Sequence, residues 1–506
     1  MQDQPLTSGL APKEPAESEL EQRRWHVLML ASLGAFMTPL DSSIVAVALP
    51  AIGPSLHLSY TEALWVQAAY LLVISILLIP FGRLADQHGL VRFYIAGVIV
   101  FGLSSVAAAL SLNGPFLIAA RCVQGAGGAF MASTSAALVT AVFPPHERGR
   151  ALGINVMAVY IGLAAGPPLG GLIVTHFGWR WIFLINAPIA LATVLSGWTF
   201  LGSERRDRVA ALKRVARSEA DWERHSTSRH IDVAGASILG LMLAALFVPL
   251  TFISFWGWAS PRTLGLLAVA AVLFIAFVLV EDRVSDPMLD LELLRKNRLF
   301  AAATTAALLN YAAVYGVVIF TAVFLEIAQS YSAQRAGLIL LVEPVLMAAL
   351  SPLAGRLSDR LGSRLLATTG MLLVALGMLE LALLSVSGPM WRVLLALATV
   401  GVGMAAFSAP NTSAVMGSVH RSRLSLASGF LGTMRFTGQG ISIALLGAIA
   451  ASKLGPAGGR VLFLGEAASH SAAVAFAAGY REAMLAGAAL AVVGGAISLV
   501  RGQKME

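Results

Sequence analysis

Fourteen apolar stretches, each bounded by charges or by Gly and Pro clusters, recur along the chain. They fall at approximately 27–48, 63–81, 91–112, 116–143, 151–174, 181–201, 231–252, 263–280, 299–327, 336–353, 365–386, 391–416, 424–451 and 483–500. A helix needs about 20 apolar residues to cross a bilayer, and an ordinary soluble core has no use for so many stretches of that length. Composition agrees: of 506 residues 57% are hydrophobic and 12% charged, about half the charge of a soluble domain. The 48 Gly and 21 Pro would weaken helices in water. In a membrane, small residues let helices approach closely, and neighbouring helices satisfy the backbone groups that Pro frees. The single cysteine, Cys122, excludes an intrachain disulfide, and no Cys/His cluster has metal-site spacing. The expected fold class is an all-α membrane protein with 14 transmembrane helices.

The formal net charge is +8, and its distribution argues against a nucleic-acid partner. With both termini placed in the cytoplasm, the segments on that side hold 26 Lys and Arg and the outer segments hold 7. Two more, Arg121 and Arg435, fall inside spans. Basic residues accumulate on the cytoplasmic side of membrane proteins, so the bias predicts a multi-pass protein of the plasma (inner) membrane with both termini cytoplasmic. The leader before Trp25 lacks the basic start and the cleavage site of a signal peptide, so the first span is expected to be retained. The basic loop at 203–230 is mixed with acids and is expected to be solvated or to touch anionic membrane lipids.

An internal repeat organises the spans. GRLADQHG at Gly82 to Gly89 returns 273 residues later as GRLSDRLG at Gly355 to Gly362. Further on, Gly125 and Gly127 face Gly401 and Gly403, while Gly153 and Gly162 face Gly429 and Gly438, each 276 residues apart. Spans 1–6 and 9–14 are therefore read as two copies of a six-helix unit with spans 7 and 8 inserted. The predicted organisation is a leader (1–24), an N-terminal bundle (25–202), a cytoplasmic loop (203–230), two inserted helices (231–281), a linker (282–298), a C-terminal bundle (299–501) and a tail (502–506). Paired repeats of this kind let secondary transporters rock two half-bundles about a central site.

At these residues the sequence resembles the major facilitator superfamily, and within it the fourteen-span drug:proton antiporters. The resemblance covers nearly the whole chain after residue 25. The loop motif is carried by Gly82, Arg83, Asp86, Gly89 and Arg92, and in the second copy by Gly355, Arg356, Asp359 and Gly362. Here Leu90 and Val91 follow Gly89, so Arg92 is the one basic residue where the family usually has two or more. RCVQGAGGA at Arg121 resembles the span-4 arginine motif, LDSSIVAVALPAI at Leu40 the span-1 signature, and GWRWIFLINAPIA at Gly178 the start of span 6. GLAAGPPLGG, with Gly162, Gly166, Pro167, Pro168, Gly170 and Gly171, is similar to the span-5 antiporter motif. The resemblance implies a major-facilitator fold and proton-coupled export of hydrophobic or cationic drug-like small molecules, driven by the proton gradient with no cofactor. In a Gram-negative envelope it also allows a periplasmic adaptor. An exporter of lipids or lipid-linked molecules and an uptake symporter would share the fold. A membrane enzyme would need clustered acids or His at one face, whereas the His residues are scattered.

Asp41 lies about 14 Å deep in span 1, near the bilayer middle. A charge there costs about 2.5–3.5 kcal/mol on insertion scales, and loss of water disfavours the charged form. Such an acid can load and release a proton, or serve as a structural carboxyl bonded within the bundle, to Ser42 or Ser43. The family resemblance implies the proton-coupling role. Arg121, inside span 4, either bridges helices or takes part in coupling; the second repeat has Leu397 at its place, which assigns the proton to the N-terminal half. The Gly and Pro residues of span 5 read as a gate or as plain close packing. In the second half Glu343 and Arg435 either pair with each other or contact substrate, Glu343 attracting cations beside Pro344. Asn155, Asn310, Tyr311 and Gln124 can line a substrate cavity or bond between helices, as can Gln67, Tyr70, Asn411 and Gln439. Met157, Tyr160 and Phe407 face either lipid or core. Glu380 is a weaker candidate, and Glu326, near the outer end of span 9, is placed to snorkel. No Gly-rich run has the Lys-Ser/Thr of a phosphate loop.

Overall fold

The computed structural model describes residues 15–143, 147–197, 232–284, 291–419, 424–454 and 470–500. The loop at 203–230, the tail, the first part of the leader and the side chains of Asp86 and Asp359 lie outside the described residues. Among these residues, 14 helices are long and apolar enough to cross a membrane. Spans 1–7 are Arg24–Ser55, Tyr60–Ala85, Leu90–Ala109, Gly114–Val142, Ala151–Phe177, Arg180–Gly197 and Ala234–Ile253. Spans 8–14 are Pro261–Glu281, Arg298–Ala328, Ala333–Ser358, Ser363–Ala382, Met390–Gly417, Ala427–Ala451 and Ala473–Leu499. The last span departs most from the sequence reading. Its helix starts at His470 rather than 483, because the charges Arg481 and Glu482 lie within a continuous Ala-rich helix instead of ending it. Glu482 there pairs with Lys453, beyond the end of span 13, at 2.9 Å.

The repeat is visible in how glycine brings backbones together. A Cβ added to Gly127 would sit 2.6 Å from the Phe101 nitrogen, and one added to Gly403 would sit 2.7 Å from the Val374 nitrogen. Spans 3 and 4 thus cross as spans 11 and 12 do, at positions related by the repeat. Gly89 and Gly362 close the equivalent loop turns with φ of 101° and 85°, a backbone region that favours glycine. Their N–H groups return to Ala85 and Ser358 carbonyls at 2.9 and 2.8 Å.

The two six-helix halves meet along three seams: span 5 with span 10, span 13 with span 2, and span 1 with span 9. The first two are tight at the face opposite the loop motif. Gly171 lies directly against Ala333 and Gln334, and Gly337 against Pro167. In the pseudo-symmetric seam the Tyr60 hydroxyl donates to the Gly447 carbonyl at 3.0 Å. Toward the motif face, added Cβ atoms on Gly153 of span 5 and Gly355 of span 10 would meet nothing within 4 Å. Span 7 of the insertion packs on both span 2 and span 13, with Phe247 fully buried against Gly440. Span 8 packs on span 7.

Candidate functional site

Asp41 and Arg121, 80 residues apart in sequence, form an ion pair at 2.5 Å with both side chains fully buried. One Asp41 oxygen takes the guanidinium; the other accepts from Gln124 at 2.8 Å and from Asn186 at 2.9 Å. Arg121 spends its remaining donors on the Val66 carbonyl (2.9 Å), Gln124 Oε1 (2.6 Å) and Gln67 Oε1 (3.2 Å), so four of its five N–H groups have acceptors. Its guanidinium also lies over the Tyr70 ring, 4.2 Å from the centroid. Gln124 and Asn186 both reach Ser105 as well, at 2.7 and 3.4 Å. Side chains of spans 4 and 6 thus bond the span-1 carboxylate directly, and spans 2 and 3 are joined to it through Arg121 and Gln124.

Both carboxylate oxygens are thus bonded. Breaking a buried pair from one side leaves an uncompensated charge, which costs about 3–5 kcal/mol.

The neighbouring serines turn elsewhere. Ser43 donates to the Pro39 carbonyl at 2.8 Å. Ser42 bonds to the Tyr315 hydroxyl of span 9 and accepts from Gln67 at 2.8 Å. Gln124 is spent on the Asp41 cluster and is fully buried, and Asn155 donates to Ser135 at 2.9 Å as an interhelical bond. Asn310 points at Met371 of span 11, 3.0 Å away. Tyr311 packs its Cβ against Gly438. Glu343 and Arg435 form no ion pair. Glu343 is buried against span 12 with Oε2 unbonded, and Arg435 lies 4.7 Å over the Phe436 ring, within electrostatic reach of the Tyr160 hydroxyl. Tyr160 itself bonds to Ser408 across the two halves at 2.9 Å, and Phe407 is core. Glu326 does not snorkel fully: it sits in a π-helical turn, Phe324–Ala328, with Oε1 buried and unbonded. In span 5, Gly162 and Gly166 lie against span 1 at Phe36 and Ser43, Gly170 against Ile44, and Gly171 against span 10. The motif joins both halves. Arg92 and Arg356 are exposed at the loop face.

The profile of the Major Facilitator Superfamily matches residues 31–279 and 233–443. The chain belongs to the Major Facilitator Superfamily. It is 34% identical over 428 residues to the multidrug resistance protein Stp of Mycobacterium tuberculosis, covering 84% of this chain and 76% of that one. It is 30% identical over 414 residues to the riboflavin transporter RibZ of Clostridioides difficile, covering 82% and 85%. A crystal structure of a bacterial homologue of the human lysosomal transporter Spinster, inward-facing and unoccupied, overlays with a TM-score of 0.62. It covers 97% of this chain and 98% of that chain at 17% identity, a likeness of fold. This superfamily member is a multi-pass membrane transporter and not an enzyme.

Three members of the Asp41 cluster escape sequence reasoning. Asn186 stands inside GWRWIFLINAPIA, where its polar side chain in an apolar run was the available signal. Ser105 is a small residue in span 3 with nothing to mark it. Tyr315 carries a clearer signal: it lies 273 positions after Ser42, the spacing of the repeated loop motif.

Proposed function

We propose that this transporter is a proton-coupled antiporter that exports hydrophobic or cationic small molecules by alternating access. One observation carries the reading. The fully buried Asp41–Arg121 pair has Leu397, itself fully buried, in place of the arginine in the second repeat, so the same helical frame packs without a charge at that position. Replacing a buried ion pair with apolar groups is often neutral or stabilising. A pair kept on these terms is better explained by proton handling than by stability. The excess of basic residues on the loop-motif face supports a cytoplasmic position for that face. Similarity to a multidrug resistance protein supports drug-like substrates, whereas similarity to a riboflavin transporter supports a single nutrient-like one.

Dye efflux from cells, with and without a protonophore, tests the reading. Asp41→Asn keeps the shape and removes the titrating group, so gradient-driven efflux should fall to the empty-vector level while expression and membrane insertion persist. Undiminished gradient-driven efflux by that variant would remove Asp41 from the mechanism. Net dye uptake by the parent protein would reverse the direction proposed.

A further inference from the structure

The seam between spans 5 and 10 and the seam between spans 2 and 13 are related by the repeat, but they are not equally covered. On span 5, Gly153, Met157, Tyr160, Ala164, Pro167 and Gly171 follow one another at spacings of three and four, so they share one face. That face is turned to the C-terminal half. Tyr160 bonds to Ser408 of span 12 at 2.9 Å, the Pro167 carbonyl meets Gly337, and Gly171 meets Ala333 of span 10. Met157 lies on the same face and is nevertheless 53% exposed, and Gly153, one turn further, is exposed too. Met157 stands six residues inside span 5, about 9 Å at 1.5 Å per residue, within the leaflet on the loop-motif side. Its surroundings are apolar: Val156 and Ile161 beside it and Leu353 at a matching depth of span 10 are all exposed.

The repeat puts Gly429, Thr433, Phe436, Gly440, Ile443 and Gly447 of span 13 at the corresponding positions, 276 residues on. Thr433, the counterpart of Met157, is 2% exposed. Span 7 lies over this seam along its length. A Cβ on Gly440, the counterpart of Ala164, would fall on the Phe247 ring. On the span 2 side Gly240 of span 7 lies against Ile76 toward the loop-motif end, and Phe252 meets the Trp65 ring, 6.4 Å between centroids, toward the other end. Spans 2 and 13 also touch each other in the loop-motif half, where a Cβ on Gly432 would come 2.9 Å from Leu78. The linker helix Leu291–Lys296 adds Leu291, Leu293 and Leu294 to the same apolar cluster. Among the described residues neither inserted span packs on span 5 or span 10.

We propose that the inserted spans make this carrier one-sided: a lipid-dissolved substrate passes between spans 5 and 10 in the leaflet on the loop-motif side, and the insertion closes the equivalent route between spans 2 and 13. The inference rests on the export of hydrophobic molecules proposed above, which makes this route an entrance. A compound that partitions into the bilayer is already concentrated at the depth of Met157, whereas a hydrophilic ion must arrive through water at the loop-motif face. Met157 lines the route with a flexible, polarizable side chain that adapts to different shapes. Tyr160, one turn deeper, is the first hydrogen-bonding side chain on that face.

Gly153 and its counterpart Gly429 give a matched pair of test positions, since an added Cβ meets no atom within 4 Å at either. Full-length Gly153→Trp and Gly429→Trp are compared with the parent in proteoliposomes, with rhodamine 6G as a lipid-partitioning dye and ethidium as a water-soluble cation. Gly153→Trp should raise the KM for rhodamine 6G several-fold at an unchanged maximal rate and leave ethidium as in the parent, while Gly429→Trp should match the parent for both dyes. Equal behaviour of the two variants, or equal losses for the two dyes, would overturn the route. A second readout needs no transport. With Cys122→Ala removing the native thiol, Met157→Cys carries a nitroxide whose relaxation by oxygen should exceed that by a water-soluble nickel chelate; dominance of the nickel chelate would mean a water-filled crevice and overturn passage from lipid. Net import of rhodamine 6G by the parent would overturn the export reading alone, and the same Gly153→Trp effect would then mark the route as an exit.

Discussion

Ser43 and Gly166 share one crossing point between spans 1 and 5, and there is room for one side chain. A Cβ on Gly166 would fall on Ser43 Oγ and 2.6 Å from Ser43 Cβ. The second half solves the same problem in reverse: Gly316 stands at the place of Ser43 and Ser442 at the place of Gly166, with the Gly316 N–H donating to Ser442 Oγ at 2.9 Å. The exchange makes a sharp prediction. Gly166→Ser should cost about 1–3 kcal/mol by overpacking and depress transport, and adding Ser43→Gly should restore both, because it recreates the arrangement of the second half. Thermal unfolding in detergent and dye efflux measure the two quantities. A double variant no better than the single would show that the span-5 glycine serves something other than this contact. The need for small residues in GLAAGPPLGG was legible in the sequence. Which serine each glycine faces was not, since helix rotation is set by neighbours many residues away.

At the scale of elements, span 10 has a local irregularity near its middle. Ala333–Leu340 and Val342–Leu361 are separated by a turn at Leu341, where Pro344 cannot donate to the preceding turn. Glu343 falls in the first turn of the second piece. Gly401 of span 12 comes close enough that its Cβ would lie 2.7 Å from the Glu343 carbonyl, so the backbone at the break is held while Oε2 stays unbonded. If this acid selects cations, Glu343→Gln should reduce efflux of cationic dyes several-fold more than that of uncharged drugs and leave proton coupling through Asp41 in place. Equal losses for both classes would assign Glu343 to packing. Length and polarity made the existence of every span legible. The break in span 10 was signalled by Pro344 alone, and the start of span 14 was hidden because Arg481 and Glu482 resemble a boundary while a long helix carries them past the apolar zone.

For the whole molecule, the open question is which way it stands in the membrane. The 26 to 7 bias in basic residues supports a cytoplasmic loop-motif face, and thiol labelling tests it. The chain has one cysteine, so Cys122→Ala gives a background without thiols, and two glycines offer places for new ones. Gly153 is exposed near the motif-face end of span 5, and Gly355 lies near the matching end of span 10. An added Cβ at either meets no atom within 4 Å, so Gly153→Cys and Gly355→Cys should be accepted without loss of fold. A membrane-impermeant maleimide should label both in inside-out vesicles and neither in intact cells. Labelling from outside intact cells would invert the protein and make the face joined by Gly171, Gly337 and the Tyr60–Gly447 bond the cytoplasmic one.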